Sequence, residues 1–309
     1  MRALSILMAA LLLAIVACGG GQPPRPHGEL HIATGNVGGV YVVYGGAYAR
    51  VLEKRAPGLR THVLETEGSV ENLHLISEGR ADVAFALSDA AAEVDHPGGL
   101  PITALACLYE NYVHIVVRAD SDIRSLRDLT GKRVSLGAPG SGTASNASRV
   151  LGAAGLAARE VASENLDLVE SANALADGSI DAFFWAGGLP TAALLDLQRR
   201  TQVRLVDIGD TAQELVRRHG DLYTVAEVPA SVYALPGGVK TISVRNCLYA
   251  PKTMPEDRAY WLTRLLFEGQ PELVTSHPEA RRLDLRAAIG TYPVELHPGA
   301  ARWFREAHR

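Results

Sequence analysis

From Glu29 onward, short unbroken apolar runs alternate with longer stretches in which apolar residues recur every three or four positions. The first kind reads as buried strands and the second as amphipathic helices. On that pattern residues 30–33 form a strand, 40–55 a helix, 60–65 a strand, 69–78 a helix and 81–87 a buried strand. Ser69 stands where a helix cap is expected, Glu71 and Asn72 fall in the first turn, and Gly79 closes the helix as a C-terminal glycine. The β-α-β-α-β order predicts a parallel, doubly wound α/β sheet. Residues 102–108 and 113–117 read as two further strands.

After Arg118 the pattern starts again. A short helix at 125–131 and a strand at 133–136 lead into a glycine turn at 137–143 and a helix at 144–154. A strand at 166–169, a helical turn at 173–176 stopped by Gly178, a strand at 180–185, a helix at 189–199 and a strand at 203–208 follow. Ser77-Glu78-Gly79-Arg80-Ala81-Asp82-Val83 and Ala176-Asp177-Gly178-Ser179-Ile180-Asp181-Ala182 share one order: helix end, glycine, two residues (the second apolar), aspartate, buried strand. Two similar α/β lobes joined by extended segments predict a hinged clamshell. Residues 223–226 and 242–250 read as extended and carry the chain back to the first lobe. Helical pieces at 258–267, 273–276, 280–287 and 298–306 dress it. The expected division is 29–117 with 247–309 as the first lobe, and 118–246 as the second.

Composition narrows this little: 47% hydrophobic and 21% charged residues are ordinary for a globular protein of 309 residues. A net charge of −4 without a basic tract offers no footprint for nucleic acid. The N-terminus says more. Met1-Arg2 and the apolar run 3–16 have signal-peptide form and are too short to span a bilayer comfortably. The run ends in Ile15-Val16-Ala17-Cys18, followed by three glycines and a proline-rich stretch. This resembles a lipobox: residues 1–17 would be removed, Cys18 diacylated, and 18–28 left as a tether. The simpler alternative is an ordinary secretory signal with an incidental Cys18. Either places the mature chain outside the cytoplasmic membrane. Export makes a disulfide between Cys107 and Cys247 possible; two small buried thiols in apolar strands account for them as well.

Ligands of a parallel sheet bind at the C-terminal ends of its strands. Four such ends carry glycine or polar clusters: 35–41, Ser88-Asp89, 140–143 and 185–190. The first contains no Lys or Arg, so an anion there would be held by backbone N–H groups at a helix start. Ser141, Gly142 and Thr143 offer the same arrangement with two hydroxyls. Ser88 and Asp89 would cap a helix or accept from a ligand ammonium. Gly38, Tyr41, Trp185 and Gly188 would supply walls. Each residue alone is explained as well by capping or core packing; the expectation rests on all four clusters facing one cleft. No G-x-G-x-x-G, no Walker loop and no G-x-S-x-G elbow occurs. The ten histidines show no metal-ligand spacing. Neither a cofactor nor a catalytic centre is expected.

The ordered set of motifs resembles the TAXI family of extracytoplasmic solute receptors, the binding proteins of a class of TRAP transporters. It runs from residues 34–41 through Glu67-Gly68-Ser69-Val70-Glu71-Asn72-Leu73, residues 79–89, Gly140-Ser141-Gly142-Thr143 and residues 181–191 to His297-Pro298-Gly299-Ala300. The resemblance covers about residues 29–309. It implies a type II periplasmic-binding-protein fold and a monomeric binding protein, not an enzyme. Such a protein delivers a small carboxylate or amino acid, glutamate- or glutamine-like, to small and large membrane subunits. It places ligand contacts near Gly38, Tyr41, Ser88, Ser141, Gly142, Thr143, Trp185 and Gly188. Two departures stand out. Asn36-Val37 replaces small Gly/Thr residues, and Glu67 replaces a glycine. Inside the cleft Glu67 would favour a ligand ammonium; pointing outward it would be a solvated turn residue. A binding protein serving an ABC importer or a sensor kinase is the alternative, and an enzyme acting on a small carboxylate a weaker third.

Overall fold

The computed structural model describes residues 22–95, 98–157 and 160–308. The expected signal peptide and Cys18 lie outside the described residues. The first β-α-β-α-β unit comprises β1 (Gly28–Ala33), α1 (Val40–Arg55), β2 (Leu59–Leu64), α2 (Ser69–Ser77) and β3 (Val83–Leu87), followed by the short α3 (Ser88–Val94). The long β4 (Ile102–Arg118) leads to a second unit: β5 (Arg133–Ser135), α4 (Gly142–Ala153), β6 (Ala162–Glu164), α5 (Leu168–Asp177) and β7 (Ala182–Gly187). Next come α6 (Ala192–Gln198), β8 (Val203–Leu205), α7 (Gly209–His219) and β9 (Thr224–Val228), then the second long strand, β10 (Val239–Pro251). Helices α8 (Glu256–Glu268), α9 (Gln270–Ser276) and α10 (Pro298–Ala307) end the chain.

Within each unit the pairing is parallel, as the pattern predicts: β1 with β2 and β3, β5 with β6 and β7. The two long strands are antiparallel and join the units into one sheet, ordered β2-β1-β3-β10-β4-β7-β5-β6. From Ile102 to Tyr112, β4 pairs with β10; from Tyr112 to Arg118 it pairs with β7 and β8. Strand β10 pairs with β9 up to Ser243 and with β3 from Asn246 to Tyr249. Both strands therefore pass from one lobe to the other near Tyr112 and Ser243, which form one register pair. One hydrophobic cluster runs along a sheet face through both lobes, from Leu73 and Ile76 to Val150 and Leu215. The opposite face carries separate cores, one under α1, α8 and α10, the other under α5 and α6.

Several expectations are corrected. The two predicted strands at 102–108 and 113–117 are one, because the polar pair Glu110-Asn111 stays extended between them. The strand expected at 166–169 is the start of α5. Asp167 accepts the Glu170 N–H and Glu170 the Asp167 N–H, and this reciprocal cap outweighs a short apolar run. Ser69 does not cap α2: Gly68 is the cap residue and the Ser69 hydroxyl accepts the Leu87 N–H instead. The piece at 280–287 is not a continuous helix: it holds the end of a tight turn, Pro278–Arg282, and part of a second turn in which the Ala288 N–H donates to the Asp284 carbonyl. The proposed tether is tied down from Pro23: its carbonyl accepts the Trp261 indole N–H and the Arg25 guanidinium donates to the Arg55 carbonyl. Cys107 and Cys247, a register pair of β4 and β10, form a disulfide.

Candidate functional site

Three helices begin at one place. Helix α1 starts after the turn 35–39, where Gly38 adopts φ +81°, a conformation that side chains disfavour. Helix α4 starts at Ser141, whose hydroxyl accepts the Ala144 N–H at 3.1 Å and so caps it. Helix α2 starts after Gly68, at φ 121°. First-turn N–H groups have no partner inside their own helix, and each helix start carries partial positive charge. Gly39, Val40, Gly68, Ser69, Gly142 and Thr143 all line one cavity between the lobes. Its volume is about 30 Å³, counted as space open to the centre of a water molecule. That is room for roughly two waters.

The walls come from both lobes. Trp185 lies across the cavity, its indole N–H donating to Thr191 Oγ1 at 2.9 Å. Thr143 Oγ1 accepts the Ala186 N–H at 3.2 Å. Tyr41 Oη sits 3.5 Å from Ser69 Oγ and accepts from Asn111 Nδ2 at 3.4 Å. Burial pushes the Tyr41 phenol well above its ordinary pKa, so it stays protonated. Asn111 is 2% exposed, and its Oδ1 has no partner among the described residues. A buried amide oxygen without a donor is a place where a ligand N–H or O–H is accommodated at no extra desolvation. No Lys or Arg lines the cavity. The one carboxylate there, Glu67, is exposed at the rim and accepts from Asn36 Nδ2 at 2.8 Å. It therefore both reaches the cleft and remains solvated.

The cavity is small because the lobes touch. The N–H groups of Val70 and Glu71 both reach the Gly140 carbonyl at 3.1 Å. A Cβ on Gly142 would stand 2.7 Å from Leu87 Cδ1 and from Ser69 Oγ, so only glycine allows this approach. Asp89, fully buried, is ion-paired with Arg149 and accepts the Tyr223 hydroxyl at 2.8 Å. Burial raises the Asp89 carboxyl while Arg149 and Tyr223 pull it back. On the far side Glu279, 2% exposed, accepts the Leu189 N–H at 2.8 Å, and His277 approaches the Pro190 carbonyl.

Of the nine residues singled out from sequence, Tyr41, Ser141, Gly142, Thr143 and Trp185 line the cavity. Four do not. Gly38 packs against Ala193 and Val169, Gly188 against Glu279 and Tyr109, Ser88 is buried at the start of α3, and Asp89 is consumed by Arg149. The fourth cluster at the cleft is Gly68-Ser69, not Ser88-Asp89. Asn111 was missed entirely, because a polar pair between two apolar runs reads as a break in the strand.

The NMT1-like family model matches residues 32–307. The chain belongs to the NMT1-like family. Solved structures similar to this NMT1-like chain include the periplasmic aliphatic sulphonate binding protein SsuA from Escherichia coli. The identity is 16% and the TM-score 0.52, over 92% of this chain and 84% of that one. The alkanesulfonate-binding protein SsuA from Xanthomonas axonopodis pv. citri, bound to MOPS, matches with 18% identity and TM-score 0.54, over 93% and 86%. A putative L-cystine ABC transporter protein from Listeria monocytogenes matches with 16% identity and TM-score 0.52, over 82% and 95%. At such identities the likeness is one of fold. The NMT1-like chain thus has the two-lobed type II periplasmic-binding-protein architecture, with its cavity at the strand ends between the lobes.

Proposed function

We propose that this NMT1-like protein is an extracytoplasmic solute receptor, not an enzyme, that closes its lobes on a small carboxylate or amino acid. The observation that carries the reading is the convergence of three helix starts on one buried cavity without a basic side chain. Backbone N–H groups of Gly142, Thr143 and Val40 would take the anionic group, with the Ser141 and Thr143 hydroxyls beside them. Asn111 Oδ1 and the rim carboxylate of Glu67 suit a ligand ammonium, so the reading favours an amino acid over a plain dicarboxylate. Tyr41, Ser69 and Trp185 complete the walls. Gly38, Asp89 and Gly188 act by letting the lobes meet. The lobes are 29–117 with 247–309, and 118–246. A cavity for two waters is too small for glutamate, so entry requires opening at the hinge.

The TAXI-like motif order supports delivery by a monomer to the small and large subunits of a TRAP transporter, with Cys18 as a lipid anchor at the membrane. A second reading, service to an ABC importer, is favoured by the sulfonate-binding and cystine-associated proteins among the structural neighbours. Mass spectrometry of small molecules released from the purified, denatured protein tests the ligand class. A thermal-shift series of amino acids, di-acids and alkanesulfonates follows. One amino acid or carboxylate is expected to be recovered unchanged and to raise the melting temperature, through a stabilisation of about 2.7 kcal/mol at a hundredfold excess over Kd. A response to alkanesulfonates alone would move the protein to the second reading, and chemical turnover of the bound molecule would make it an enzyme. The mass of the membrane-extracted chain reports whether Cys18 carries a diacylglyceryl group.

A further inference from the structure

A second hollow lies where the crossing strands meet the segment after Pro278–Arg282. Its lining includes Cys107 and Glu110 of β4, Arg245 of β10, and Arg282, Arg286 and Gly290. The volume, about 490 Å³ of space open to a water centre, far exceeds that of the interlobe cavity, and Tyr109 is the residue lining both. Three guanidinium groups against one carboxylate give the hollow an excess of positive charge. Each guanidinium carries five N–H donors in a planar fork. Arg245 spends one on the Gly290 carbonyl at 2.5 Å, and Arg282 places Nε 2.9 Å from Glu279 Oε2. Among the described residues no hydrogen bond or ion pair engages the Arg286 guanidinium. The nearby Asp284 carboxylate is taken up by the N–H groups of Arg286 and Ala287. Glu110 Oε2, by contrast, is a buried acceptor with no partner.

We propose that this hollow is a second ligand site, for a small organic polyanion with two or more carboxylate or phosphoryl groups and a hydroxyl. Concentrated donors of one sign in a concave site of ligand size suit forked recognition of oxyanions, and the stranded Glu110 oxygen suits the hydroxyl. Solvation alone explains single exposed arginines. It does not explain three around one hollow: Glu279 pairs with Arg282 and Glu110 faces Arg245 across the β4–β10 register, which leaves Arg286 without a carboxylate partner among the described residues. Burial also raises the Glu110 carboxyl, which lessens its opposition to such an occupant. The site does not depend on the cleft's ligand. It does touch closure, since Arg282 holds Glu279, whose other oxygen accepts the Leu189 N–H of the second lobe.

Calorimetric titration of the mature protein with citrate, and separately with inorganic phosphate, tests the proposal at low and at physiological salt. Saturable citrate binding is expected, weakening with salt as an exposed ionic contact does. Arg286→Gln is expected to weaken it about tenfold or more, the loss of a charge-assisted fork. Arg286→Lys is expected to fall in between. Phosphate, with one group for three arginines, is expected to bind more weakly than citrate. The Arg286 side chain is exposed and unattached, so the variant's circular dichroism and melting temperature are expected to match those of the parent. No saturable citrate binding, or binding that Arg286→Gln leaves unchanged, overturns the proposal.

Discussion

Gly142 has no room for a side chain once the lobes have met. Its imagined Cβ overlaps the Leu87 methyl and the Ser69 hydroxyl, both on the opposite lobe. Gly142→Ala is therefore expected to spare each lobe and penalise closure, by about 1–3 kcal/mol. A calorimetric Kd for the released ligand should rise by that equivalent; an unchanged Kd would mean that closure does not bring these residues together. His114, opposite Trp185 in the β4–β7 register, is 1% exposed, with Nδ1 3.3 Å from the Trp185 carbonyl and Nε2 unpartnered. Burial lowers its imidazole from an ordinary 6.5 to about 4. The folded value is the depressed one, so on acidification the unfolded chain takes up the proton first. This part of the stability is complete above about pH 6.5 and is lost as pH falls toward 4, by roughly 3 kcal/mol. Urea unfolding of His114→Gln is expected to show a shallower loss between pH 7 and 4.5; equal slopes would put the proton elsewhere. Five of the nine candidates line the cavity, and three of them, Ser141, Gly142 and Thr143, were legible because such residues at a helix start announce backbone donors. Asp89 was not, because its partner Arg149 lies 60 positions away and nothing local marks the pair.

The elements that matter most for motion are β4 and β10. They are the long antiparallel strands that cross between the lobes, and the Cys107–Cys247 disulfide ties them within the first lobe's half of the sheet. A bridge spanning 140 positions removes much of the unfolded chain's freedom. The Cys107→Ala/Cys247→Ala variant, or reduction by dithiothreitol, is expected to lower unfolding free energy by about 3–5 kcal/mol. A denaturant midpoint unmoved by reductant would argue that the thiols are free. Most elements could be read from periodicity: α1 spans the sixteen residues the pattern marks, and α10 differs by one. The misreadings have local causes. Helix α7 went unread because only Gly209, Ala212 and Leu215 of it are buried, too few to set a visible period. Strand β4 was divided because Glu110 and Asn111 interrupt its apolar run; Asn111 lines the interlobe cavity and Glu110 the hollow behind it.

At the scale of the whole molecule, direct contact between lobes at Gly140, Asp89–Arg149 and Glu279–Leu189 identifies a closed arrangement. Small-angle scattering with the released ligand is expected to show compaction toward this form from a larger ligand-free radius; equal radii would remove the hinge from the mechanism. The parallel lobes, their order and their facing cleft followed from the repeated pattern. Their intimate contact did not, since it depends on pairs such as Glu279 and Leu189, 90 positions apart. The position of β10 has a consequence for assembly. It is inserted between β3 and β4, so the first lobe's sheet has a gap in its middle until residues 239–251 arrive. A chain emerging N-terminus first can build both parallel units, yet its two earliest sheet segments stay unjoined until most of its length has emerged. Joining of the sheet is therefore a late event in the life of the chain, and a chain cut short before Val239 would leave β3 and β4 with open edges for proteases to find.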